Sequence, residues 1–156
     1  MLIYGFTGTQ QPSREGADLI RDTLVRLPMP DLVVTGGCIG SDAIIGRWYA
    51  DFTTAHQHVI LPSKLKKVSL WFNEYPHVTF ERMPDGTGYM DRNTKLVEYC
   101  VSRAGAFSGL PPHRLADNLK AFAFPKEANE VLRSGTWSTV RRFRRAGIEP
   151  AIYPLP

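Results

Sequence analysis

An α/β domain on a largely parallel sheet is the fold class this sequence predicts, and three observations predict it. Short apolar runs such as Leu2-Ile3-Tyr4-Gly5-Phe6 and Leu32-Val33-Val34-Thr35 are continuous rather than alternating, as strands buried on both faces are. Each breaks at a glycine turn and passes into apolar positions spaced three and four apart, the helical period. Two strand-loop-helix units in succession give the α/β pattern, whose ligands gather at the carboxyl ends of the strands. Both glycine loops would lie on that edge.

The elements follow in order. After the first strand come Thr7-Gly8-Thr9 and then Ser13, placed to cap a helix from Arg14 to Leu27 whose stripe is Ala17, Ile20, Leu24 and Leu27; Pro28 and Pro30 stop it. Asp31 to Thr35 is the second strand, and the helix behind it carries Ile44, Ile45, Trp48 and Phe52 on one side. His58 to Pro62 reads as a third strand. Ser63 to Gly88, with its lysines and Pro76 and Pro84, reads as a loop and a short helix that could form a lid. A helical pattern with Leu96, Val97, Cys100 and Val101 follows Tyr89-Met90-Asp91-Arg92-Asn93, and Ala104 to Ser108 reads as a short buried strand. Gly109 to Asn118 has the composition of a surface loop. Leu119 to Phe124 fits a strand or a helical turn, and Pro125 to Leu132 is acidic. The last helix opens at Arg133-Ser134-Gly135-Thr136, keeps Trp137, Val140 and Phe143 in one stripe, and ends at Gly147 as a C-cap. Ala151 to Pro154 closes the sheet.

Composition sets the bounds. A chain of 156 residues is long enough to bury a core without disulfide or metal staples, so one domain over residues 1–156 is expected. The net charge of +4 is mild but uneven, since Arg133, Arg141, Arg142, Arg144 and Arg145 crowd the last helix and suggest an anionic partner. The only two cysteines, no leader sequence and no apolar run of about 18 residues predict a cytoplasmic protein with free thiols. His56, His58, His77 and His113 lack the spacing of a zinc site, so neither metal nor cofactor is expected.

Three stretches pair glycine with small hydroxyl residues ahead of a helix: Gly8 and Thr9; Gly36 and Gly37 with Gly40 and Ser41; and Ser134, Gly135 and Thr136. Helix N-termini carry unpaired N–H groups and favour phosphate, so loops sharing one edge could converge on a phosphate-bearing ligand. A carboxylate there would repel phosphate, which leaves Asp42 either for ribose hydroxyls or for its own helix N-terminus. Arg92 with Asn93 offers a charged fork and an amide, or simply starts a helix. Arg133 precedes the last helix as a ligand contact, whereas the arginines at 141, 142, 144 and 145 read as a solvated face complementing the helix dipole. Asp42, Asp91 and Glu130 are the candidate catalytic carboxylates.

Taken together, Gly5-Phe6-Thr7-Gly8-Thr9, Gly37-Cys38-Ile39-Gly40-Ser41-Asp42, Tyr89-Met90-Asp91-Arg92-Asn93 and the block from Glu130 to Arg141 around Arg133-Ser134-Gly135-Thr136-Trp137 resemble the SLOG superfamily. The likeness is to its small stand-alone branch, related to the YpsA-like proteins of bacteria and phages, and spans nearly the whole chain. It implies a three-layer Rossmann-like (flavodoxin-like) sheet with helices on both faces, binding a nucleotide or an NAD- or ADP-ribose-derived ligand, including cyclic ADP-ribose-like signals. LOG-type phosphoribohydrolases and domains of DNA-processing protein A belong to the same superfamily. The phosphoribohydrolases carry a glutamate three residues after the threonine of their glycine turn, and that position here is Thr139. Nucleotide binding is therefore the leading expectation and an N-glycosidase the alternative. Nucleic acid is the least favoured partner, no membrane is expected, and a homo-oligomer is.

Overall fold

The computed structural model describes residues 1–69, 71–108 and 112–156. Six strands form one sheet: Ile3–Gly8 (β1), Leu32–Thr35 (β2), His56–Leu61 (β3), Val78–Arg82 (β4), Leu119–Phe124 (β5) and Ala151–Ile152 (β6). Their spatial order is β4-β3-β2-β1-β5-β6 and every pairing is parallel. The chain walks outward from β1 to β4 and then returns to lay β5 on the other side of β1. That reversal opens a crevice between β1 and β5 at the carboxyl edge, the place where doubly wound sheets bind ligands.

Helices Arg14–Arg26 (α1) and Ser41–Phe52 (α2) cover one face; Tyr89–Ser108 (α3) and Gly135–Arg145 (α4) cover the other. The alternation of β1 shows why both faces need apolar side chains. Ile3 packs with Leu96, Val97 and Phe143, while Tyr4 and Phe6 turn toward Ile20, Leu24 and Tyr49. Gly5 makes room where Phe143 and the Cys100 thiol press on the sheet, since a Cβ there would lie 2.7 Å from the Phe143 ring. Ser13 caps α1 by accepting from Gly16 N at 3.0 Å, and Gly147, at φ +84°, follows the last turn of α4 as a glycine can.

The structure departs from the sequence reading at three places and decides a fourth. Val78–Arg82 is a strand where a loop was expected; as an edge strand it has one neighbour, so Thr79, Phe80 and Arg82 remain exposed and no apolar run announces it. Ala104 to Ser108 is the end of α3 rather than a strand, because buried Ala104 continues the helical spacing of Val97 and Cys100. Phe52 is 71 % exposed and Tyr49 takes the place expected for it on the buried face of α2. Leu119–Phe124, left open between strand and turn, is β5 along the full length of β1. Of the expected loop from Gly109 to Asn118, residues 109–111 lie outside the described residues and Pro112–Asp117 form a 3₁₀ turn. No described helix is long and apolar enough to cross a membrane.

His58 makes the fold sensitive to pH. Its ring stacks on Tyr99 at 4.2 Å between centroids, and Nδ1 lies 2.8 Å from the Thr79 hydroxyl. Burial pulls its pKa below 6.5, against the attraction of Glu81 and with the help of Arg103 and Lys95. Between that depressed value and 6.5 the unfolded chain binds a proton that the folded chain does not, so stability falls as pH drops below 6.5. Urea midpoints measured from pH 7.5 down to 5 will show this decline, and His58→Phe will flatten the part that His58 contributes.

Candidate functional site

The loop after β1 is pinned from two sides. Thr9 N donates to Phe124 O at 3.0 Å, while Thr9 O accepts both Ser41 N at 3.0 Å and Ser41 Oγ at 2.7 Å. Gly8 lies so near Ser41 that a Cβ would come within 2.5 Å of its side chain, and Gly40, at φ +83°, packs on the main chain of Gln10. The N-terminus of α2 is thus spent on the neighbouring loop. Gly40 and Ser41 hold that loop in place and do not line the pocket described below.

The second glycine turn also has an occupant. Asp42, buried at the start of α2, accepts from Cys38 N at 3.2 Å and from the Gly36 main chain. Its carboxylate fills the position where an external phosphate was expected, and its hydrogen bonds go to the glycine turn ahead of the helix. Burial raises its pKa; the Arg92 charge and the two main-chain N–H groups act in the opposite direction. Gly36 faces the Arg92 guanidinium and Gly37, at φ +69°, faces Val59 and Leu61, so neither glycine is open to a ligand.

Arg92 is the hub of this edge. It is only 7 % exposed, donates from Nη1 to Gly36 O and to Cys38 Sγ at 3.6 Å, and from Nε to Asn93 Oδ1 at 3.0 Å. Asn93 in turn donates to Gly135 O at 3.4 Å. Loop 36–38, the start of α3 and the start of α4 are joined through two consecutive side chains.

Around these groups lies a cavity of about 460 Å³, a volume suited to a small molecule. Its walls include Thr7, Gly8 and Thr9 from the β1 loop, Asp42, Tyr89, Arg92 and Asn93, and Ser134, Gly135 and Thr136. Two of the three hydroxyl-glycine stretches therefore meet, while the third lies beneath them as a support. At α4 the Ser134 hydroxyl accepts from Trp137 N at 3.2 Å and Ser138 N bonds Ser134 O at 2.8 Å. The N–H groups of Gly135 and Thr136, the first two of the helix, have no intrahelical acceptor.

Other expected site residues lie elsewhere. Arg133 is exposed and does not line the cavity. Asp91 accepts from Gly88 N at 2.9 Å, and Glu130 pairs with Arg141 at 3.3 Å, so both serve local structure outside the cavity wall. Of the arginines of α4, Arg144 and Arg145 are exposed as expected, whereas Arg141 and Arg142 are half-buried. Arg141 also grips the carbonyls of Val131 and Leu132, Arg142 donates to Thr94 Oγ1 at 2.7 Å, and Arg144 chelates Glu149.

No protein-family model matches this chain, and no curated protein matches it. Among solved structures it is similar to the molybdenum cofactor binding protein from the phototrophic bacterium Rippkaea orientalis, at 15% identity, covering 99% of this chain and 90% of that one, with a TM-score of 0.47. A likeness at that level says nothing of what this chain binds; the sheet order stands on the strand pairings themselves.

Sequence reasoning missed several wall residues: Gln10, Gln11, Cys38, Lys67, Tyr89, Lys126 and Glu127. Lys126 and Glu127 follow directly from taking 119–124 as a strand, because its carboxyl-end loop then belongs to the binding edge. Lys67 had no local signal. It reaches the site because Ile39 N bonds Lys67 O at 2.9 Å and Ser69 N bonds Gly37 O at 3.1 Å, folding this strap onto the second glycine turn. Among the described residues no group of three or more His, Cys, Asp or Glu could hold a metal ion.

Removing Arg92 strips the buried Asp42 of its neighbouring cation. Arg92→Met will lower the unfolding free energy by roughly 3 kcal/mol, the cost typical of a buried charge left uncompensated. Asp42→Asn placed in the same background will recover part of that loss, and urea denaturation of the parent and the two variants measures both effects.

Proposed function

We propose that this cavity binds a nucleotide or an NAD- or ADP-ribose-derived ligand, with its phosphate at the N-terminus of α4, and that residues 1–156 form one domain of the SLOG type. One observation carries the reading: the free N–H groups of Gly135 and Thr136 share a cavity wall with Thr7, Gly8 and Thr9. Unpaired N–H groups, the positive end of a helix and hydroxyl donors together favour an anion. Lys67 and Lys126 add positive charge from two sides, and the Asp42 and Glu127 carboxylates and Asn93 amide suit ribose hydroxyls.

An N-glycosidase is the second reading, favoured by Asp42. Of the three candidate carboxylates it is the one on the cavity wall, where a negative charge suits stabilisation of the positive charge that develops on a ribosyl carbon as the base leaves. Asp91 and Glu130 do not support that reading from their positions. Thr139, at the place of the phosphoribohydrolase glutamate, is buried and donates to Gly135 O at 3.0 Å. Nucleic-acid binding is disfavoured because Arg141, Arg142 and Arg144 are engaged within the chain.

Calorimetry against nucleoside monophosphates, NAD, ADP-ribose and cyclic ADP-ribose tests binding, and chromatography for released base tests hydrolysis. Gly135→Pro isolates the proposed phosphate contact. Proline fits the first position of a helix, the preceding Ser134 is already extended at φ −100° and ψ 128°, and a Cβ at 135 meets only Asn93 Nδ2 at 3.9 Å. The fold will survive while one N–H is lost, so affinity for the phosphorylated ligand will fall by about tenfold or more, the worth of a hydrogen bond to a charged group. Gly135→Ala will bind as the parent does. Equal affinities for all three proteins, or no binding across the panel, overturn the assignment.

A further inference from the structure

The cavity has two chemically different ends. Ser134, Gly135 and Thr136 with Lys126 come to it from the β5 side of the sheet reversal; Cys38 and Lys67 come from the loops after β2 and β3, with Tyr89 of α3 near Cys38. Tyr89 is the only aromatic residue on the described wall, and as a residue it is 37 % exposed, an unusual state for a large apolar side chain in an otherwise polar cleft. It is also fixed. Tyr89 is the first residue of α3, one turn before Arg92, whose guanidinium carbon lies 5.7 Å from the ring centroid. Arg92 is itself anchored to Gly36 O and Asn93, so the ring is held near a rigid cation.

We infer that Tyr89 is the stacking platform for the base of a nucleoside phosphate, which fixes the direction in which the ligand lies. The phosphate sits at α4, the ribose passes Asp42, and the base reaches Tyr89 at the far end. This inference rests on the nucleotide reading above and adds a specificity to it: the ligand must carry an aromatic ring, and a sugar phosphate alone occupies only half of the site. Stacking reads the flat face common to all bases, so Tyr89 selects for a base without selecting which one.

The test compares two probes, AMP and ribose 5-phosphate, on the full chain by calorimetry. The parent protein should bind AMP more tightly than ribose 5-phosphate. Tyr89→Leu, which keeps an apolar side chain but no ring, should weaken AMP by about tenfold, the scale of one base–aromatic stack, and leave ribose 5-phosphate unchanged. Tyr89→Phe should restore AMP binding. Ethenoadenosine monophosphate gives an independent signal: its fluorescence should be quenched on the parent and on Tyr89→Phe but not when bound to Tyr89→Leu. If Tyr89→Leu weakens both probes equally, the ring only positions Arg92 and the inference fails. If the parent binds both probes with the same affinity, the base makes no contact and the inference fails while the phosphate site stands. If neither probe binds the parent, the nucleotide reading falls and takes this inference with it.

Discussion

Asp42 held in its own glycine turn beneath Arg92 is the interaction on which the rest of this edge depends. The Gly36–Cys38 turn needs something to satisfy its inward N–H groups, and a buried carboxylate does this at the cost of desolvating a charge. Arg92 offsets that cost. Because it comes from α3, a helix that follows β4 in the chain, its bonds to Gly36 O and Cys38 Sγ draw the far end of the fold back to the β2 loop. Asn93 extends the connection to α4. The position of the open helix N-terminus is therefore set by a chain of contacts that begins at a carboxylate.

This arrangement also explains how three similar loops come to differ. The β1 loop presents Thr7, Gly8 and Thr9 outward because its main chain is tied to β5 on one side and to Ser41 on the other. The second glycine turn is closed by its internal acid. At α4 the cap, Ser134, satisfies a later N–H group, and Gly135 and Thr136, whose N–H groups have no intrahelical acceptor, line the cavity. Glycine, hydroxyl and helix start are common to all three, and the partner of the first N–H groups distinguishes them.

Much of this was legible in the sequence, for physical reasons. Central strands must be apolar on both faces, so β1 and β2 declare themselves, and the caps Ser13, Ser134 and Gly147 stand where their chemistry requires. β4 was hidden because an edge strand needs no second apolar face. Ala104 to Ser108 misled because small apolar residues suit a buried strand and a buried helix alike. At the site, the placement of Ser134, Gly135 and Thr136 at the start of α4 followed from local pattern, whereas the burial of Gly36 under Arg92 joins residues 56 positions apart and has no local signature. Lys67 is the same case, brought in by a strap whose pairing depends on the turn it meets.

The tight seat of Gly36 under the Arg92 guanidinium constrains how this sequence can drift. A side chain at position 36 would push the guanidinium off Gly36 O while the arginine remains, and shortening the arginine first leaves the buried acid without its neighbouring cation. Two positions far apart along the chain must therefore change together or not at all, and distant descendants should carry the glycine and the arginine as a linked pair.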